Sequence, residues 1–128
     1  MANDVKLSKI AQIALPTRDL AKAVAFYRDI LGLELMFEVS GMAFFDAGGV
    51  RLMIGGSETG KAPQGENVIY FDAGDWSATE TALEGRGLKF ERAAEVVQRA
   101  EGKKKEHALR FFKDPDGNML AIMGWRPA

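Results

Sequence analysis

Apolar residues in this chain fall into short clusters whose spacing alternates between two periods. IAQIAL (Ile10 to Leu15) is a brief apolar run stopped by Pro16, as expected of a buried strand. Leu20, Val24, Tyr27 and Leu31 then recur at helical spacing, with Thr17 or Asp19 placed to cap the helix and Gly32 to stop it. Three strand-like pieces follow, Leu33 to Val39, Met42 to Ala47 and Val50 to Ile54, separated by Ser40-Gly41 and Ala47-Gly48-Gly49. Gly56 to Glu66 is rich in small and polar residues and reads as a linker. The pattern then restarts. NVIYFDA (Asn67 to Ala73) predicts a strand on which Tyr70 is buried between Ile69 and Phe71. Ser77-x-x-Glu80 predicts a capping box, Gly85 and Gly87 close that helix, and LKFERA (Leu88 to Ala93) predicts the next strand.

A shift of fifty-five positions lays Asn67 on Gln12 and Gly87-Leu88 on Gly32-Leu33, so the chain is a βαβββ unit stated twice. The expected fold is α+β: one domain over residues 1–128, with module 1 at about 8–56 and module 2 at about 66–125. A unit of about 60 residues buries too little apolar surface to be secure alone, so the two modules are expected to pack together or against another chain. Ala93 to His107 has no counterpart in the first copy and is assigned to the leg of a hairpin.

Asp114-Pro115-Asp116-Gly117-Asn118 combines a fixed φ, two aspartates able to bond nearby backbone and a glycine free to take positive φ, and so predicts a firm turn. Asp114 and Asp116 are thereby assigned to the turn and not to acid–base work. The strand that follows places Met119, Ala121 and Met123 on one face and Leu120, Ile122 and Gly124 on the other, with no ionisable group on either.

Composition narrows the chemistry. With 17 basic and 18 acidic residues the net charge is −1, which gives no surplus for neutralising phosphates, and nucleic acid is not expected as a partner. Gly102-Lys103-Lys104-Lys105-Glu106, the one basic run, reads as a solvated hairpin tip. There is no cysteine, and hence no disulfide, thiolate metal site or thiol nucleophile. No stretch has the length and apolar character of a membrane span or the centre of a signal peptide, so a cytoplasmic location is expected. His107 is the only histidine, and beside the lysines it reads as solvated or lightly packed, with no carboxylate placed to orient it. The sequence contains no GxGxxG, P-loop or GxSxG pattern.

IAQIALPTRDLAKAVAFYRDILGLEL, GGVRLMI and FFKDPDGNMLAIM together resemble the vicinal oxygen chelate superfamily, the group of glyoxalase I, bleomycin-resistance proteins, fosfomycin-resistance enzymes and extradiol dioxygenases. The resemblance implies tandem βαβββ modules curled into a cleft-enclosing mixed sheet with helices outside, completed within one chain or across a swapped dimer. It places the family's four metal-ligand positions on Gln12, Met53, Asn67 and Ala121. Two amides, a thioether and a methyl group offer a divalent ion no compensating charge, so neither metal nor other cofactor is expected.

No catalytic residue is assigned. Gln12, Arg51, Met53, Asn67, Met119, Ala121 and Met123 are the expected ligand-binding residues, joined on the cleft wall by Ala14 and Ile69, with Phe44, Phe45 or Trp125 adding apolar contact. A closed core filled by the same methionines also fits the pattern. The implied function is capture of a small molecule by a homodimer. The alternatives are a glyoxalase- or dioxygenase-type enzyme with an altered metal site or none, and a partner-regulated structural module.

Overall fold

The computed structural model describes residues 5, 10–56, 67–100, 102 and 104–128. The linker expected at Gly56 to Glu66 lies almost entirely outside them. Module 1 contains β1 (Gln12–Thr17), α1 (Leu20–Ala25) and, continuing it, a π-helical turn Phe26–Ile30, followed by β2 (Glu34–Val39), β3 (Met42–Ala47) and β4 (Val50–Gly56). Module 2 contains β5 (Ile69–Asp72), α2 (Trp76–Gly85), β6 (Glu95–Arg99), β7 (Lys105–Lys113) and β8 (Met119–Pro127). Each module is a four-stranded mixed sheet, ordered β1-β4-β3-β2 and β5-β8-β7-β6, so the βαβββ unit is present twice and neither sheet closes on itself. β1 continues through Pro16, which an edge strand tolerates because an outward position needs no N–H.

One face of each sheet packs on the helices. Leu52 and Ile54 of β4, Ala43 and Phe45 of β3, Leu120 and Ile122 of β8 and Phe112 of β7 join Val24, Phe26 and Tyr27 in a continuous core. Burying a side chain of this size stabilises the fold by roughly 1.5–3 kcal/mol. Phe26 meets Phe112 of the second sheet at 6.4 Å, and Tyr27 meets Phe45 of the first at 5.8 Å, so a single helix ties both sheets together. Phe45 was a candidate for ligand contact, but its odd position on β3 turns it into this core, fully buried.

The capping residues differ from expectation in module 2. Asp75, not Ser77, caps α2 by accepting the Ala78 N–H at 3.1 Å. Ser77 is already inside the first turn, and Glu80 pairs with Arg110 at 2.8 Å instead of folding back on the cap. In module 1 the cap is Asp19, which accepts the Lys22 N–H at 3.1 Å. LKFERA does not form a strand: only Phe90 bridges to Phe112, and the chain bends before β6. Phe90 sits against the Phe112 ring at 6.0 Å and under the Arg110 guanidinium at 4.3 Å, so side-chain packing replaces a ladder there. β6 pairs antiparallel with β7, as a hairpin leg should.

The two copies are also out of step by one residue. Asp19 stands thirteen residues before Gly32, whereas Asp75 stands twelve before Gly87. The extra residue is absorbed by the π-helical turn, whose wider i→i+5 bonding accommodates one insertion without ending the helix. Helix ends therefore align at a shift of fifty-five, but helix starts, and the strands before them, align at fifty-six.

Candidate ligand-binding site

The faces turned away from the helices carry the side chains of interest. In module 1 a row crosses all four strands. Gln12 on β1 donates from Nε2 to Met53 Sδ on β4 at 3.9 Å, Met53 pairs in register with Phe44 on β3, and the Phe44 ring stacks on Phe37 of β2 at 4.6 Å. Arg51, next but one to Met53 and on the same side, lies over the Phe44 ring at 5.6 Å. This face lines a cavity of about 650 Å³ that includes Ala14, Met42 and Met53.

The one-residue offset inverts the expectation for β5. Ile69 and Phe71 pack on the core, and Tyr70 and Asp72 take the opposite face. Counting seven residues back from the helix cap, as Gln12 stands to Asp19, leads from Asp75 to Val68 and not to Asn67. Asn67 is exposed ahead of the strand. Tyr70, expected to be buried, is 45% exposed. Its ring meets Phe111 of β7 edge-on at 6.2 Å, across the β8 residue Ala121, which pairs in register with both and is fully buried. Arg92 stacks over Phe111 at 4.7 Å, echoing Arg51 over Phe44 in the first module. Beyond Ala121 along β8 come Met123 and Trp125, and Trp125 stacks on His107 at 4.8 Å. His107 is thus half-buried against an indole and lines a cavity of about 460 Å³ with Tyr70, Asp72 and Met123. Of the two environments expected beside the lysines, solvated or lightly packed, it takes the packed one.

Of the expected ligand-binding residues, Gln12, Arg51 and Met53 come together on the first face. Met119, Ala121 and Met123 alternate along β8 on the second. The cavities on the two faces share no lining residue. Tyr70, Asp72, His107 and Phe111 were missed as candidates for that second face; the Asp75 cap carries the signal that sets the phase of Tyr70 and Asp72 on β5.

The turn that aims β8 is bonded across the modules. Buried Asp114 accepts from the Tyr27 hydroxyl at 2.7 Å, the Asn118 side chain at 2.7 Å, and the backbone N–H groups of Asp116 and Asn118. Asp116 accepts from the Thr17 hydroxyl at 2.6 Å and the Arg18 N–H at 2.8 Å. Burial, reinforced by the Asp114 carboxylate, pushes the Tyr27 phenol far above its ordinary range. Tyr27 is therefore a neutral donor holding the turn against α1, unsuited to proton transfer near neutral pH.

The profile of the Glyoxalase/Bleomycin resistance protein/Dioxygenase superfamily matches residues 9–122. The chain belongs to this superfamily. The chain is 30% identical over 130 residues to YraH of Bacillus subtilis, covering 89% of this chain and 96% of that protein. It is 25% identical over 115 residues to the metallothiol transferase FosB of Staphylococcus haemolyticus, covering 88% and 81% respectively. Its fold matches the crystal structure of lactoylglutathione lyase from Agrobacterium tumefaciens with a TM-score of 0.70 at 24% identity, over 92% of this chain and 94% of that one. It also matches a superfamily member from Alicyclobacillus acidocaldarius with a TM-score of 0.69 at 24% identity, over 91% of both chains.

Proposed function

We propose that this superfamily member captures a small molecule on its concave faces without a metal ion, as a cytoplasmic homodimer. The observation that carries the reading is the Tyr70–Phe111 contact beside Ala121. Two rings flank Ala121, the position onto which the family resemblance carries a carboxylate ligand, and this supports an apolar site there. The other positions hold an amide engaged with a thioether, at Gln12 and Met53, and Val68 or the outlying Asn67. Such a donor set lacks the charge that offsets a dication's desolvation, and among the described residues no three His, Cys, Asp or Glu cluster to replace it. Exposed aromatic rings, methionine and a few polar anchors suit adaptable apolar recognition. Arg51, exposed over Phe44, is the anchor for an acidic group on the first face. Because each face stands open, a second copy laid across them would convert open walls into an enclosed cleft.

FosB is named as a metallothiol transferase, and that likeness favours a metal-using enzyme as the second reading. Elemental analysis of purified protein, with melting curves recorded with and without a chelator and across a panel of small drugs and metabolites, separates the two. Capture predicts substoichiometric metal, no chelator effect and ligand-dependent upward shifts in melting temperature. Stoichiometric transition metal with a chelator-induced fall would establish the second reading instead.

A further inference from the structure

Resting on the capture reading, we propose that the face of module 2 turned away from the helices is a slot for a planar organic cation, which lies over Met123 with its ends against Tyr70 and Trp125 and with Asp72 as its counter-charge. Tyr70 and Trp125 are 45% and 43% exposed, the two large hydrophobic side chains left standing on this wall. They occupy the two ends of one cavity. Tyr70 pairs in register with Ala121, and Trp125 lies four residues further along β8, about 13 Å at strand rise. Met123 forms the floor between them, and its soft thioether suits the face of a flat ring.

Both walls are held before any ligand arrives. Tyr70 abuts Phe111, and Trp125 stacks on His107, so neither ring gives up much rotamer freedom on binding. Asp72 pairs in register with Met123 and so flanks the floor midway between the walls. Its Oδ1 accepts the Gly74 N–H at 2.9 Å, which orients the carboxylate. Among the described residues no Lys or Arg forms an ion pair with it. Arg92, the cation on the Phe111 side, is paired with Glu95 at 3.0 Å. Aromatic faces and one carboxylate attract a delocalised cation through the ring quadrupoles and direct charge. Module 1 has the opposite bias, with Arg51 on its aromatic row. The volume of about 460 Å³ falls in the range of drug-sized sites.

The test uses proflavine as the planar cation and anthracene-9-carboxylate as the planar anion, with binding read from probe anisotropy on the full chain. Proflavine is expected to bind the wild type, to lose at least fivefold in affinity in Asp72→Asn and at least tenfold in Trp125→Ala, and to weaken as salt is raised. Glu84→Gln, an exposed charge change on α2, is expected to leave it unaltered. Anthracene-9-carboxylate is expected to be indifferent to Asp72→Asn. Unchanged proflavine affinity in either slot variant, or no proflavine binding by the folded wild type, overturns the proposal. Should drugs or metabolites still shift the melting temperature in that case, capture stands and only the slot falls; if none does, both fall. Asp72 and Trp125 are exposed, and circular dichroism melts confirm that each variant is folded before it is scored.

Discussion

Asp114 shows how much one side chain can be asked to do. Its carboxylate receives four donors from inside the turn and from α1, and almost all of it is buried. Tyr27→Phe removes one of these donors and should cost about 1–2 kcal/mol at neutral pH, measured by urea denaturation. The pH dependence has a definite sign. The phenol's folded pKa is raised, so its contribution is complete below the unfolded value near 10 and declines above it, by about 1.4 kcal/mol per pH unit, as the unfolded chain alone releases the proton. The gap between wild type and Tyr27→Phe is therefore expected to narrow as pH rises past about 10; a constant gap would mean that the phenol is not held neutral. At the same scale, the identities of Gln12, Met53 and Ala121 are plain in the sequence, and the family resemblance alone marks them as metal-ligand positions. The contact of Tyr70 with Phe111 is not plain there, because those residues lie forty-one positions apart and meet only when β5 and β7 flank β8.

At the scale of elements, short-range chemistry carried most of the assignment. Strands β2, β3 and β4 stand within two residues of where alternation and Gly punctuation put them, and the π-helical turn that continues α1 ends just before Gly32, whose φ of +78° only glycine adopts cheaply. The failures share a cause. Ser77 and Glu80 form a valid local pattern, but Asp75 stands two residues earlier and takes the cap, while the tertiary partner Arg110 claims Glu80. Asp75→Ala should accordingly cost about 1 kcal/mol and Ser77→Ala close to nothing, as read from paired thermal melts. Equal losses would restore the capping box. The β5 error arose because a π-helical turn has no composition signature of its own: its extra residue passes unseen in a helical stripe, yet one residue inverts every side chain of a strand.

For the molecule as a whole, two open sheets share one core through α1, and the turn at residues 114–118 bonds back to Thr17 and Arg18 so that β8 is held against the first module. Among the described residues, outer strands β2 and β6 pair on one side only and carry exposed Met36, Phe37, Val39, Val96 and Val97, which together with the open sheet faces favours association. Sedimentation equilibrium is expected to give a dimer, with a melting temperature that rises with protein concentration. A monomer at all accessible concentrations would leave capture to each face alone.

Alternating hydrophobicity, helix caps and glycine stops are local properties, enforced by backbone sterics and by neighbours a few residues away. From them followed the doubled βαβββ unit and the firm turn before β8. Which face each residue of β5 presents, the pairing of Tyr70 with Phe111, the stacking of His107 on Trp125 and the bonds from Asp114 to Tyr27 were decided only in three dimensions. Each depends on strand phase or on contacts between distant segments, and a one-residue change in helix winding alters that phase while leaving the local pattern intact.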